Sequence, residues 1–75
     1  MKKKDGLTER QLQVAIWMAR GKSNKIIGEK LFITSSTVKA HLTEVYKKYG
    51  VSNRTEATRK LIEKGVIPPQ DSEQP

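Results

Sequence analysis

Helix punctuation constrains this chain more than any other feature of its sequence. Thr8 precedes a stretch that stops at Gly21, Thr34 or Ser35 precedes one that stops at Gly50, and Asn53 precedes one that stops at Gly65. Between the first two lies a shorter stretch that starts at Ser23 and ends near Phe32. A short polar side chain just before a helix can accept a bond from an unpaired backbone N–H of the first turn. Glycine just after a helix takes the left-handed conformation that closes it. Gln11 and Glu56 stand three residues after Thr8 and Asn53, the partner position of a capping box. No run alternates over a strand's length, and the Asp5-Gly6 pair has no strand-like run before it to make a hairpin. The expectation is an all-α fold of four helices.

The apolar residues recur at spacings of three and four, as a packed helix requires. The predicted core takes Leu7, Val14, Ala15, Trp17 and Met18 from the first helix, and Ile27, Leu31 and Phe32 from the second, with Ile33 just after. Val38, Leu42, Val45 and Tyr49 come from the third helix, and Ala57 and Leu61 from the fourth. A chain of 75 residues holds at most one small domain, and without cysteine neither a disulfide nor a zinc cluster can brace it. We expect a flexible basic segment at 1–6, a folded unit at 7–67 and a disordered tail at 68–75, where two prolines adjoin and little is left to bury. No apolar run approaches the roughly 18 residues of a membrane span, and the basic start is not followed by the apolar stretch of a secretion signal. A soluble intracellular protein is expected, with no membrane partner.

Charge bears on the partner. There are 15 basic and 8 acidic residues, a net charge of +7, and two of the acids, Asp71 and Glu73, lie in the tail. Such an excess on a small domain suits a polyanion. The second helix, a short turn at Ile33-Thr34 and the longer third helix have the order of a helix-turn-helix, bringing the fold class to a four-helix, bundle-like domain that contains this motif. In that motif the second helix of the pair enters the major groove of double-stranded DNA. Positions Ser36, Lys39, Ala40, Thr43 and Lys47 share one helical face away from the core stripe. Ser35, Ser36, Thr37 and Ala40 are small enough to let the helix backbone approach DNA, and the lysines supply charge. The free N–H groups of the helix start favour a phosphate.

Residues 7–57 resemble the LuxR/GerE-type DNA-binding domain at many spaced positions. They include Leu7-Thr8-x-Arg10, Val14, Ala19-x-Gly21, Ser23-Asn24-Lys25, Ile27, Leu31, Ile33, Thr37-Val38-Lys39-x-His41, Val45, Lys48, Gly50-Val51, Arg54 and Glu56-Ala57. The resemblance covers nearly all of the predicted folded part. It implies a helix-turn-helix domain of a bacterial transcription regulator, placed in the cytoplasm or at the nucleoid. It implies that Lys39, Ala40 and Thr43 read bases, and the shared face adds Ser36. It implies that Ser23, Lys25, Thr37 and Lys48 hold the phosphate backbone, and the same face adds Lys47. It also implies a homodimer through the fourth helix, where Thr58 and Ile62 form a second stripe beside Ala57 and Leu61. His41 matches the family's histidine, and we read it as a packing residue on the flank of the third helix.

The departures from the family pattern are informative. Ile26 stands where the family usually has Glu, so the reciprocal bond of a capping box at Ser23 is lost. Gly28 replaces a usual Ala, at a cost of about 1 kcal/mol in helix propensity. Gln11 and Gln13 stand where acids are common. Ile16 and Ile26 are apolar residues that the domain's own core does not obviously need. Ahead of Leu7 there are six residues, so neither a receiver nor a ligand-binding domain is expected within this chain.

Two functions from different classes follow. One is a small sequence-specific regulator that binds DNA as a homodimer. The other is an interaction module that pairs with a full-length regulator through the fourth helix and modulates it. An enzyme is not expected, because one His, no Cys and no phosphate-cradling Gly loop leave no catalytic constellation. Nor is a metal or other cofactor.

Overall fold

The computed structural model describes residues 6–67. Among them lie four helices, α1 (Glu9–Ala19), α2 (Asn24–Leu31), α3 (Ser35–Tyr49) and α4 (Arg54–Glu63). The proposed tail and most of the basic N-terminal segment lie outside the described residues. The four starts are those expected, because a cap is local chemistry. Thr8 Oγ1 accepts from Gln11 N at 3.1 Å while Gln11 Oε1 accepts from Thr8 N at 3.1 Å. Ser23 Oγ accepts from Ile26 N at 3.2 Å, and the side chain of Ile26 can return nothing. Thr34 and Asn53 cap α3 and α4 in the same way. At α4 the expected box differs in one respect: Glu56 Oε1 accepts from Ser52 N at 2.9 Å, one residue ahead of the cap.

All four helices close on a residue of positive φ, namely Gly21 (+86°), Phe32 (+61°), Gly50 (+66°) and Gly65 (+73°). In each case the next N–H bonds back to a carbonyl five residues earlier: Lys22 to Trp17, Ile33 to Gly28, Val51 to Tyr46 and Val66 to Leu61. This is the bond pattern of a Schellman closure. Phe32 thus occupies the place that glycine holds in the other three. A side chain there costs on the order of 1–2 kcal/mol. The reversal also turns Phe32 outward, where it is 93% exposed. Its expected core role is therefore incorrect: the left-handed residue breaks the helical periodicity on which that expectation rested.

The core consists of Leu7, Val14, Ala15, Met18, Ile27, Val38, Leu42, Val45, Ala57 and Leu61, joined by Val66 and Ile67. The last two were not among the expected core residues. The Schellman bond from Val66 to Leu61 folds the chain back, and both side chains cap the lower core. Ile16 is half-buried against the same cluster and so belongs to the domain's own packing. Trp17, expected inside, lies at the rim, half-buried, with Lys30 Nζ 5.2 Å and the Arg20 guanidinium 5.5 Å from its ring centre. Each large side chain withdrawn from water, such as Met18, Ile27 or Leu61, contributes about 1.5–3 kcal/mol.

α1 packs on each of the other helices, and α3 packs on α1, α2 and α4, whereas the backbones of α2 and α4 do not meet. α2, the turn Phe32–Thr34 and α3 form the helix-turn-helix. Gly28 is buried against that turn: a Cβ built on it would lie 2.5 Å from the carbonyl oxygen of Ile33. Its lower helix propensity is thus offset by a close approach that no other residue permits.

Candidate nucleic-acid interface

α3 separates its two duties by face. Val38, Leu42 and Val45 are buried, whereas Ser36, Lys39, Ala40, Thr43 and Lys47 are all exposed. The structure thus brings together, on one side of one helix, five residues that the spacing had put there. His41 lies half-buried on the flank.

The hydroxyls at the start of α3 form a small network. Thr34 Oγ1 accepts from Thr37 N at 3.1 Å and lies 3.2 Å from Ser36 Oγ and 2.9 Å from Thr37 Oγ1. A hydroxyl has one hydrogen and two acceptor positions. With one acceptor position taken by the amide, Thr34 can donate to one neighbour and accept from the other. Whichever way it settles, one of Ser36 and Thr37 keeps its hydrogen for an outside acceptor. The first-turn N–H groups of Ser35 and Ser36 have no intrahelical carbonyl to bond. The N-terminal turn of α3 is therefore rich in donors, and the partial positive charge of the helix dipole adds to them.

Further along, Thr43 Oγ1 donates to the carbonyl of Lys39 at 2.9 Å. Its hydrogen is spent within the helix, leaving its lone pairs and its methyl group to meet a partner. Lys47 Nζ lies 3.7 Å from Glu44 in an exposed pair, which water screens and which holds the lysine only weakly. Lys48 lies near the far end of α3, nine residues or roughly 14 Å from Lys39 along the axis. Its stem runs beside Gly6, where an added Cβ would meet Nζ at 3.2 Å. Ser23 and Lys25 stand at the start of α2, about 12 Å along that helix from the turn into α3. Ser23 is engaged as the cap, and Lys25 is exposed. The expected phosphate residues therefore form separate stations around the α3 face.

Sequence reasoning gave Arg54 no role, yet it ties α4 to the residues on either side of Ser23. Its guanidinium donates to the carbonyl of Lys22 at 2.8 Å, to that of Met18 at 3.5 Å and to Asn24 Oδ1 at 3.4 Å. It reaches from the start of α4 to the α1–α2 turn, across the gap between α2 and α4. One signal was present. A cation in the first turn of a helix opposes the helix dipole, so it has another task.

Beside Arg54, the second stripe of α4 borders a shallow groove with Met18 and Ala19 at its floor and Arg59 and Glu63 at its rim. Thr58 and Ile62 are half-buried there, and the Thr58 hydroxyl donates to Met18 Sδ at 3.4 Å. Among the described residues no group of three His, Cys, Asp or Glu side chains is placed to hold a metal ion, and no helix is long and apolar enough to cross a membrane.

Residues 5–61 match the family model described as "Bacterial regulatory proteins, luxR family". The chain belongs to this family. The LuxR-type chain is 51% identical over 53 residues to the transcriptional regulatory protein LiaR of Bacillus subtilis, a match covering 71% of this chain and 25% of LiaR. It is 41% identical over 61 residues to the transcriptional regulatory protein DegU of Brevibacillus brevis, covering 81% of this chain and 26% of DegU. Among solved structures it is similar to the response regulator ChrA of a heme-sensing two-component system. That similarity has a TM-score of 0.80 and 36% identity, and covers 88% of this chain and 33% of ChrA. The matched part of the LuxR-type chain thus spans about a quarter of these curated relatives' length. The relatives LiaR and DegU are transcriptional regulatory proteins, and α2 and α3 of this chain form a helix-turn-helix.

Proposed function

We propose that this chain is a sequence-specific, DNA-binding transcriptional regulator that binds as a homodimer with α3 in the major groove. The observation that carries the reading is the exposed face of α3, five residues that packing does not use. Lys39, Ala40, Thr43 and Ser36 meet base edges. Lys39 supplies charged donors for a guanine edge, Ala40 lets the helix come close, and Thr43 offers its methyl group or a lone pair. Ser23, Lys25, Thr37, Lys47 and Lys48 hold phosphates, which fixes register without reading sequence. The unit that does this is residues 7–67, acting in the bacterial cytoplasm at the nucleoid, and no cofactor is invoked.

Thr58 and Ile62 form the dimer contact. A two-fold interface sets the same patch against itself. The groove on α4 suits that arrangement, with an apolar floor and a rim bearing both Arg59 and Glu63, which can pair crosswise between copies. A second reading uses the same groove: the chain pairs with a full-length regulator of its family and modulates it.

The test is selection of bound fragments from a random DNA pool, followed by a gel shift on the enriched sequence at several salt concentrations. A shared motif with two half-sites, bound by two protomers, supports the proposal. Retention of all sequences alike, with no enriched motif, would overturn it in favour of the modulator.

A further inference from the structure

The hydroxyls at the start of α3 bear on which bases its face can read. Thr34, Ser36 and Thr37 are all exposed there, and Thr34 has no part in the proposed interface. One acceptor position of Thr34 Oγ1 is filled by the Thr37 amide at 3.1 Å. Its remaining lone pair and its hydrogen serve Thr37 Oγ1 at 2.9 Å and Ser36 Oγ at 3.2 Å, so it donates to one and accepts from the other. The two outer hydroxyls are therefore linked through Thr34. When one keeps its hydrogen for an outside group, the other has given its hydrogen to Thr34.

A bound phosphate selects between the two settings. A phosphate oxygen only accepts, and a hydrogen bond to a charged acceptor is roughly twice as strong as a neutral one. Thr37, held against a phosphate, donates its hydrogen there. Thr34 then donates to Thr37 and accepts from Ser36. Ser36 has lone pairs alone to offer a base. Thr43 reaches the same condition by a separate route, because its hydroxyl donates to the carbonyl of Lys39 at 2.9 Å. Two hydroxyls on the face thus present acceptors, beside Lys39, which presents donors only.

We propose that Thr34 is a positioning residue for base recognition. By taking the Ser36 hydrogen it makes Ser36, like Thr43, an acceptor that selects a base amino group, adenine N6 or cytosine N4. An inverted base pair brings a carbonyl oxygen, thymine O4 or guanine O6, to the same hydroxyl. Two acceptors then face each other, and that orientation is rejected. Thr34 acts through Ser36 rather than on the base itself. The inference rests on α3 lying in the major groove, and it deepens that reading by giving the site a hydrogen-bond polarity.

The test uses the full chain and single functional groups of the DNA. Sites are selected from a random pool with the parent and with Ser36→Ala. The position whose preference disappears in the variant is the one Ser36 faces. At that position the amino group is deleted, with purine for adenine or 2-pyrimidinone for cytosine. In a second duplex the carbonyl oxygen of the opposite base is deleted instead. Amino deletion should weaken the parent about fivefold, the factor for one net hydrogen bond, and carbonyl deletion should not. With Ser36→Ala the two duplexes should bind alike. Thr34→Gly keeps an acceptable helix start and frees both hydrogens. Ser36 can then donate to the carbonyl oxygen, and the cost of amino deletion should shrink to within about twofold. Thr34→Ser should restore it. A residue that only capped the helix would lower the melting temperature and weaken both duplexes equally.

The inference alone is overturned if the parent responds to carbonyl deletion rather than amino deletion, or if Thr34→Gly keeps the parent's response. It is also overturned alone if Ser36→Ala alters no position of the selected motif while Lys39→Ala does. If neither variant alters the motif, α3 does not read bases, and the reading beneath the inference falls with it.

Discussion

Helices α3 and α4 divide their residues differently between core and partner. On α3 the packing residues Val38, Leu42 and Val45 are buried, and every residue assigned to base edges is exposed. On α4 the inner residues Ala57 and Leu61 are fully buried, but the outer pair, Thr58 and Ile62, is half-buried against Met18 and the core edge. The first helix can therefore change its partner chemistry without disturbing the fold. The second cannot, because each proposed interface residue also covers the domain's own apolar surface.

Five substitutions can break or sharpen this contrast. The largest expected effect is that of Arg54→Met at the start of α4. It removes the charge-assisted bonds to Lys22 and Asn24, each hydrogen bond to a charged group being worth about 1.5–3 kcal/mol. Melting temperature and affinity for all DNA sequences should fall together, measured by thermal denaturation and fluorescence anisotropy. A loss of binding with unchanged melting would make Arg54 a direct DNA contact. Next is Lys39→Ala on α3, expected to cost about 1–3 kcal/mol of operator affinity and abolish discrimination, with melting unchanged. If stability falls as well, the face of α3 is not independent of packing.

Ile62→Glu should have a mixed outcome. The complex should shift to one protomer per DNA in a mobility assay. The half-buried position should also lose about 1 kcal/mol of stability, a melting shift of roughly 4–8 °C for a domain of this size. Dimeric binding by a folded variant would place the dimer face elsewhere. The smallest effects belong to Lys25→Ala and Lys48→Ala. Each should weaken specific and random DNA by the same few-fold factor and flatten the salt dependence by about one counterion. Selective loss of the operator would move these lysines into the base-reading set.

The parts of the fold legible in the sequence were those set by local chemistry. Thr8, Ser23, Thr34 and Asn53 cap their helices because a short side chain needs only its own next three residues to do so. The outward face of α3 was legible for a related reason, since helical spacing alone puts 36, 39, 40, 43 and 47 together. Errors arose where the chain turned. Phe32 continues the apolar rhythm of α2 but follows a backbone reversal that spacing does not record. Val66 and Ile67 were left out of the expected core, yet an apolar residue just after a closing glycine is what a Schellman turn folds back onto its helix. Arg54 escaped because its partners lie 30 or more residues away in sequence.

The close approach at Gly28 has a consequence for how such sequences diverge. With the Ile33 carbonyl 2.5 Å from where a Cβ would stand, position 28 cannot change by itself. A relative with alanine there must hold the turn into α3 farther from α2, and α3 starts from that turn. Substitutions at 28 should then appear together with changes at 33–35, as a covarying set. Lineages that keep glycine and lineages that keep alanine would present α3 at slightly different tilts, and so would diverge in the sites they read even where the residues facing DNA are the same.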